Sequence, residues 1–168
     1  MSSCCFKATR VLNLLRRSLF GCYSAVKSLA YTSIVRPYLE YASIVWNPYT
    51  SSDTNLLEAV QNRAARWICA TWDHATYSWS KSSHTCLSEL KWPSLAQCRT
   101  YFIIDYLHSI LHHMNSFSFN DYFKLNSLST RSHQLTIQPV HSSTNAFHFS
   151  FFVSSIFCGT AYRYLSTF

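Results

Sequence analysis

The residues best suited to a chemical task here are arginines. Arg16 and Arg17 are adjacent, Arg36 precedes a proline, and Arg63 and Arg66 lie three residues apart. On a helix that last spacing puts both side chains on one side. A guanidinium is a planar fork that can donate two hydrogen bonds to one phosphate. These five arginines are the candidate nucleic-acid-binding residues, with surface or intramolecular ion pairs as the competing role. Lys7, Arg10, Arg16, Arg17, Lys27 and Arg36 all precede the first acidic residue, Glu40. The net charge is +7 and the first third of the chain is basic. That asymmetry points to an anionic partner such as RNA or DNA, held weakly and without sequence preference. A solvated helix face is the other use of the same charge.

Other chemistry has less to work with. The seven carboxylates, Glu40, Asp53, Glu58, Asp73, Glu89, Asp105 and Asp121, are scattered, with no two adjacent and no DxD pair. A two-metal polymerase or nuclease needs carboxylates clustered around ions roughly 4 Å apart. His108 and His112 are one helical turn apart, with Asp105 on the same face, but Ser109 stands where a zinc protease would carry glutamate. They read as the wet side of a helix, and no metal or cofactor is expected. Composition leaves room for Ser/His/Asp or Cys/His catalysis. The two glycines, Gly21 and Gly159, form neither a nucleophile elbow nor a phosphate-cradling loop. No small-molecule substrate is expected either. Glu40 is expected to pair with an arginine at a helix junction.

The elements that must position these residues are mostly helices. Lys7–Phe20 carries an apolar arc of Val11, Leu12, Leu15 and Leu19, with Lys7, Arg10 and Arg17 opposite, and Gly21 ends it. Ser24 should cap a second helix running to Arg36, where the residue before Pro37 predicts a break or kink. A third helix is expected over Pro37–Trp46, stopped by Pro48. A fourth, Asp53–Cys69, is capped from Ser51, Ser52 or Asp53 and buries Leu57, Val60, Ala64, Trp67 and Ile68. Thr71–Ser83 reads as loop and Thr85–Leu90 as a helical turn. Ser94 should cap the longest helix, Leu95–Met114, whose apolar residues run nearly all round. Gln134–Pro139 resembles one short strand. The expected architecture is a small bundle of about five helices in residues 1–114, followed by a loop-rich, poorly ordered segment, 115–168.

Two glycines in a chain with 48% hydrophobic residues favour this helical reading, because turn-rich β folds need more glycine. Seven cysteines are an odd number without CxxC spacing. Met1–Arg10 lacks the apolar core of a secretory signal. Reduced thiols in the cytoplasm or nucleus are the simplest expectation. The best membrane candidate, Ala146–Cys158, has about half the ~20 residues a spanning helix needs, so no transmembrane helix is expected.

Several blocks carry a resemblance. Val35-Arg36-Pro37-Tyr38-Leu39-Glu40-Tyr41-Ala42 is followed by Val45-Trp46-Asn47-Pro48. Then come Leu57-Glu58, Val60-Gln61, and Arg63-Ala64-Ala65-Arg66 leading to Ile68. Leu87-Ser88-Glu89-Leu90-Lys91-Trp92-Pro93-Ser94-Leu95 with Arg99, and later Thr130-Arg131-Ser132-His133, complete the series. In this order, over Lys7–Phe157, the chain resembles the region downstream of the polymerase core in reverse transcriptases of non-LTR (LINE-type, jockey-like) retrotransposons. Ala8–Cys22, Lys27 and Ala30-Tyr31 fit the preceding thumb-like helices.

The resemblance implies an RNA-directed DNA polymerase as parent, with Mg²⁺ as the parent's cofactor. The family's Tyr/Phe-Ala-Asp-Asp motif has no counterpart in these residues, so this chain alone is expected to be inactive. Thumb-like helices would grip template and primer through the backbone. Two departures from the family pattern point to decay. Cys98-Arg99 stands where two arginines are usual, and Cys158-Gly159-Thr160-Ala161-Tyr162-Arg163 replaces a Trp-Asn-x-x-Pro element. Read one base earlier, the latter codons permit Leu-Trp-Asn-x-x-Pro, so a frameshift near Phe157 is expected. The alternative is a degenerate transposon-derived reading frame with neither ligand nor activity.

Overall fold

The computed structural model describes residues 2–70, 72–73, 78–112, 141 and 143–156. Among these residues the chain is mainly helical. Helix α1 is Ser2–Ser18, α2 is Ser24–Ala30, and a π-helical turn over Tyr31–Val35 leads into α3, Arg36–Glu40. Helix α4 is Ser43–Trp46, α5 Ser51–Cys69, α6 Ser83–Leu90, α7 Leu95–Leu111 and α8 Asn145–His148; α9 covers 151–156. Trp72–Asp73 pairs antiparallel with Ser78–Trp79, a two-residue ladder inside the stretch expected to be loop. Met114, the expected Gln134–Pro139 strand, most of the expected irregular tail and the residues of the expected frameshift lie outside the described residues.

Contacts divide the chain into two units, Met1–Ser43 with Pro48–Cys98, and Ile44–Asn47 with Arg99–Phe168. The core of the first is built from Ala8 and Leu12 of α1, Tyr31 and Val35 of the π turn, Leu39, Leu57, Val60, Ala64, Cys86 and Leu95. Each fully buried leucine removes enough apolar surface from water to stabilise the fold by about 2 kcal/mol. The buried line of α1 runs through Cys5, Ala8 and Leu12, so its apolar arc is centred nearer the N-terminus than Val11 and Leu15 predict. In the second unit, Leu107, Ile110 and Ile156 form a cluster lined by Tyr106, Phe151 and Phe152. The Tyr106 and Phe151 rings meet edge to face at 5.3 Å.

Gly21, at φ +84°, takes the left-handed turn expected after α1. Of the break or kink expected at Arg36, the break does not occur, because Arg36 is helical at φ −58°, ψ −39°. The backbone stays helical from Ser24 to Glu40, and the Arg36 N–H reaches back to the Tyr31 carbonyl. A proline ring collides with the carbonyl four residues earlier in a straight α-helix. The wider π turn just before Pro37 takes up an extra residue and relieves that collision. The chain turns instead at Tyr41 and Ala42, the latter at φ +52°.

The caps are mostly shifted by one residue. Tyr23, not Ser24, is the N-cap of α2. Thr50 caps α5: its Oγ1 accepts the Asp53 N–H at 3.3 Å and donates to Asp53 Oδ2 at 2.8 Å. Ser94 caps α7 as expected. Its Oγ accepts the Gln97 N–H at 3.1 Å, while Gln97 Oε1 accepts the Ser94 N–H at 3.0 Å, a reciprocal capping box.

Candidate nucleic-acid interface

The five candidate arginines divide by environment. Arg16 and Arg17 lie in the last turn of α1, where cations also complement the helix dipole. They line two adjoining concavities in the first unit. One, of about 370 Å³, is bordered by Asn13, Arg16 and Arg17. The other, of about 440 Å³, is bordered by Lys7, Arg10, Val11, Asn13, Leu14, Arg17 and Tyr38. Lys7, Arg10, Leu14 and Arg17 recur every three or four residues, so one helical stripe presents three cations. At 1.5 Å per residue, Lys7 and Arg17 are about 15 Å apart along the axis. Among the described residues no carboxylate lines either concavity. Lys7 and Arg10 were not among the predicted contact residues, although their spacing from Arg17 was visible in the sequence. Tyr38 comes from α3, and only the packing of α3 on α1 shows that it belongs here.

Arg36 is engaged elsewhere. Its Nε donates to Glu40 Oε1 at 2.7 Å, with both side chains 18% exposed, as the expectation for Glu40 required. Burial works against the Arg36 charge, but the hydrogen bond and charge of Glu40 raise its pKa on balance. Its Nη2 also donates to Cys98 Sγ at 3.0 Å. The cysteine thus sits where the resemblance leads one to expect arginine, and it serves Arg36 as an acceptor. Arg63 and Arg66 are half-buried on α5, with Arg66 in its last turn. Lys27 stands over the Trp67 ring at 5.7 Å, and Arg10 over Phe6 at 5.8 Å.

The sequence blocks behind the resemblance have structural tasks. Gln61, fully buried on α5, donates from Nε2 to the Pro93 carbonyl at 2.8 Å. Glu58 Oε1 accepts the Ala96 N–H at 2.9 Å, placing a carboxylate at the N-terminus of α7. Trp92 stacks on Tyr31 at 4.5 Å and 23°. The Leu87–Leu95 block is therefore the α6–α7 turn, fastened to α5 by one glutamine and one glutamate.

Other chemistry finds no assembled site among the described residues. Glu89 accepts from Lys81 Nζ at 2.7 and 2.8 Å, and Asp53 is taken up by the α5 cap. No group of three His, Cys, Asp or Glu side chains is placed to hold an ion among the described residues. His108 and His112 are exposed, with ring centroids 4.1 Å apart. Burial, then neighbouring Cys4, pushes the Cys5 thiol up to about 11. Burial likewise raises Cys69, Cys86 and Cys98. These thiols stay protonated at neutral pH, and a cysteine nucleophile needs its thiolate. No helix among the described residues is long and apolar enough to cross a membrane.

Compared with protein-family models, curated proteins and solved structures, the chain has no match.

Proposed function

We propose that this chain is the thumb-like and downstream part of a non-LTR retrotransposon reverse transcriptase. In this reading its own activity is weak, non-specific binding to the RNA or DNA backbone. Two things support it: the ordered series of sequence blocks, and the stripe of Lys7, Arg10 and Arg17 along α1, with Arg16 beside it. The stripe is the observation that carries the binding role, because it gathers cations around a concave surface with no acid among the described residues that line it. Arg36, paired with Glu40 and Cys98, then serves mainly the fold. The role belongs in the cytoplasm or nucleus, where thiols stay reduced. The six cysteines among the described residues form no disulfide with one another, which fits that setting.

The test is a salt titration of binding to a labelled single-stranded RNA by fluorescence anisotropy, from about 50 to 200 mM salt. Three or four phosphate contacts predict a slope of log K against log salt of about −2 to −3. Arg17→Gln or Lys7→Gln should reduce that slope by about 0.7 each. Affinity that ignores salt, or no binding at low salt, removes the proposal. The second of those outcomes leaves the degenerate reading frame without a ligand as the better account.

A further inference from the structure

We infer that the groove between α1 and Tyr38 takes single-stranded rather than duplex nucleic acid. An unpaired base stacks on the Tyr38 ring, while Lys7, Arg10 and Arg17 hold the phosphates on either side. The inference rests on the backbone-binding reading above and names the class of substrate for the same groove.

A site for phosphates alone would be lined by polar groups. Here the three cations alternate with Val11, Leu14 and Tyr38. Leu14 is 59% exposed and Tyr38 45% exposed, so apolar surface remains open to solvent beside the charges. A duplex offers that surface little, because its base faces are stacked on one another and only its backbone faces outward. A single strand offers both phosphates and open base faces, and basic grooves with an aromatic platform suit it for that reason. The backbone that carries the ring is also held in place. Its neighbour Leu39 is fully buried, and the Arg36–Glu40 pair spans the turn that carries it. Little backbone order must therefore be gained when a base arrives. The larger concavity, about 440 Å³, falls within the range of small-ligand pockets, room enough for one nucleotide.

The experiment measures binding of the full chain to a single-stranded oligouridine and to an RNA hairpin duplex, at low salt, by anisotropy. Tyr38→Ala should weaken the single-strand complex roughly ten-fold, within the range that stacking on an aromatic contributes. Its salt slope should stay at the wild-type value, since no phosphate contact is lost. Duplex affinity should not change, and Tyr38→Phe should bind the single strand as the wild type does. Far-UV circular dichroism melts of both variants check that the half-exposed position leaves folding intact. If Tyr38→Ala binds oligouridine as tightly as wild type, or loses duplex affinity equally, the single-strand inference is overturned while backbone binding stands. If the wild-type chain binds neither probe, both readings fall together.

Discussion

Tyr31 shows how one residue can be held against its own chemistry. Its side chain is fully buried and stacked on Trp92, yet its hydroxyl has no hydrogen-bond partner among the described residues. Leaving a buried hydroxyl unpaired costs about 1–3 kcal/mol, and the burial and stacking of the ring offset it. Tyr31→Phe should therefore be no less stable than wild type and should gain up to about 1–2 kcal/mol, read from urea denaturation. Burial also lifts the phenol well above its ordinary value of 10.0, with the Arg36 charge opposing. The unfolded phenol loses its proton above about pH 10, whereas the folded one keeps it. Stability from this group is thus complete below pH 10 and falls above it, by up to about 1.4 kcal/mol per pH unit. Cys5, raised from 9.0 to about 11, acts in the same direction from about pH 9 upward. Thermal melts between about pH 8 and 11 should show a falling limb that Tyr31→Phe makes shallower but does not abolish. An unchanged limb in that variant would refute the assignment.

At the scale of the element, the α6–α7 turn concentrates the local signals. Lys91 ends α6 at φ +53°, with its N–H on the Ser88 carbonyl and the Trp92 N–H on the Leu87 carbonyl. That pair of bonds is a Schellman ending, whose left-handed position favours glycine. Lys91→Gly should stabilise the chain by about 1 kcal/mol, since a side chain there is strained. Ser94→Ala should cost about 1 kcal/mol by opening the capping box. Opposite shifts in melting temperature for the two variants are the expected outcome, and shifts of the same sign would contradict the cap geometry. The sequence announced this turn through Pro93 and Ser94. It also placed α1, α5 and α7 within a few residues, because their apolar residues recur at helical spacing. It allowed a break before Pro37 where the backbone stays helical. A proline in a sequence reads as a stop, whereas the π turn that absorbs it depends on Tyr31 and Val35 being packed into the core. It missed the Trp72–Asp73 and Ser78–Trp79 pairing because two-residue strands carry no period.

For the whole molecule, the decisive arrangement is that of charge. Among the described acids, Glu40 is paired with Arg36, Glu58 with the start of α7, Glu89 with Lys81 and Asp53 with its cap. Carboxylates committed in this way are not gathered around an ion. Primer extension by the isolated 168-residue chain, with template, nucleotides and Mg²⁺ supplied, should therefore yield no product. Any extended primer would sink this account. The sequence alone determined the helical class, the basic first third and the pairing expected of Glu40, because composition, periodicity and a one-turn spacing are local properties. Only the tertiary structure decided which residues from distant segments meet. It drew Arg36 to Cys98, 62 residues further along the chain. It also brought Tyr38 to the groove from another helix. Whether a charged side chain meets solvent or a partner is fixed by packing between segments distant in the chain, and no local pattern records that.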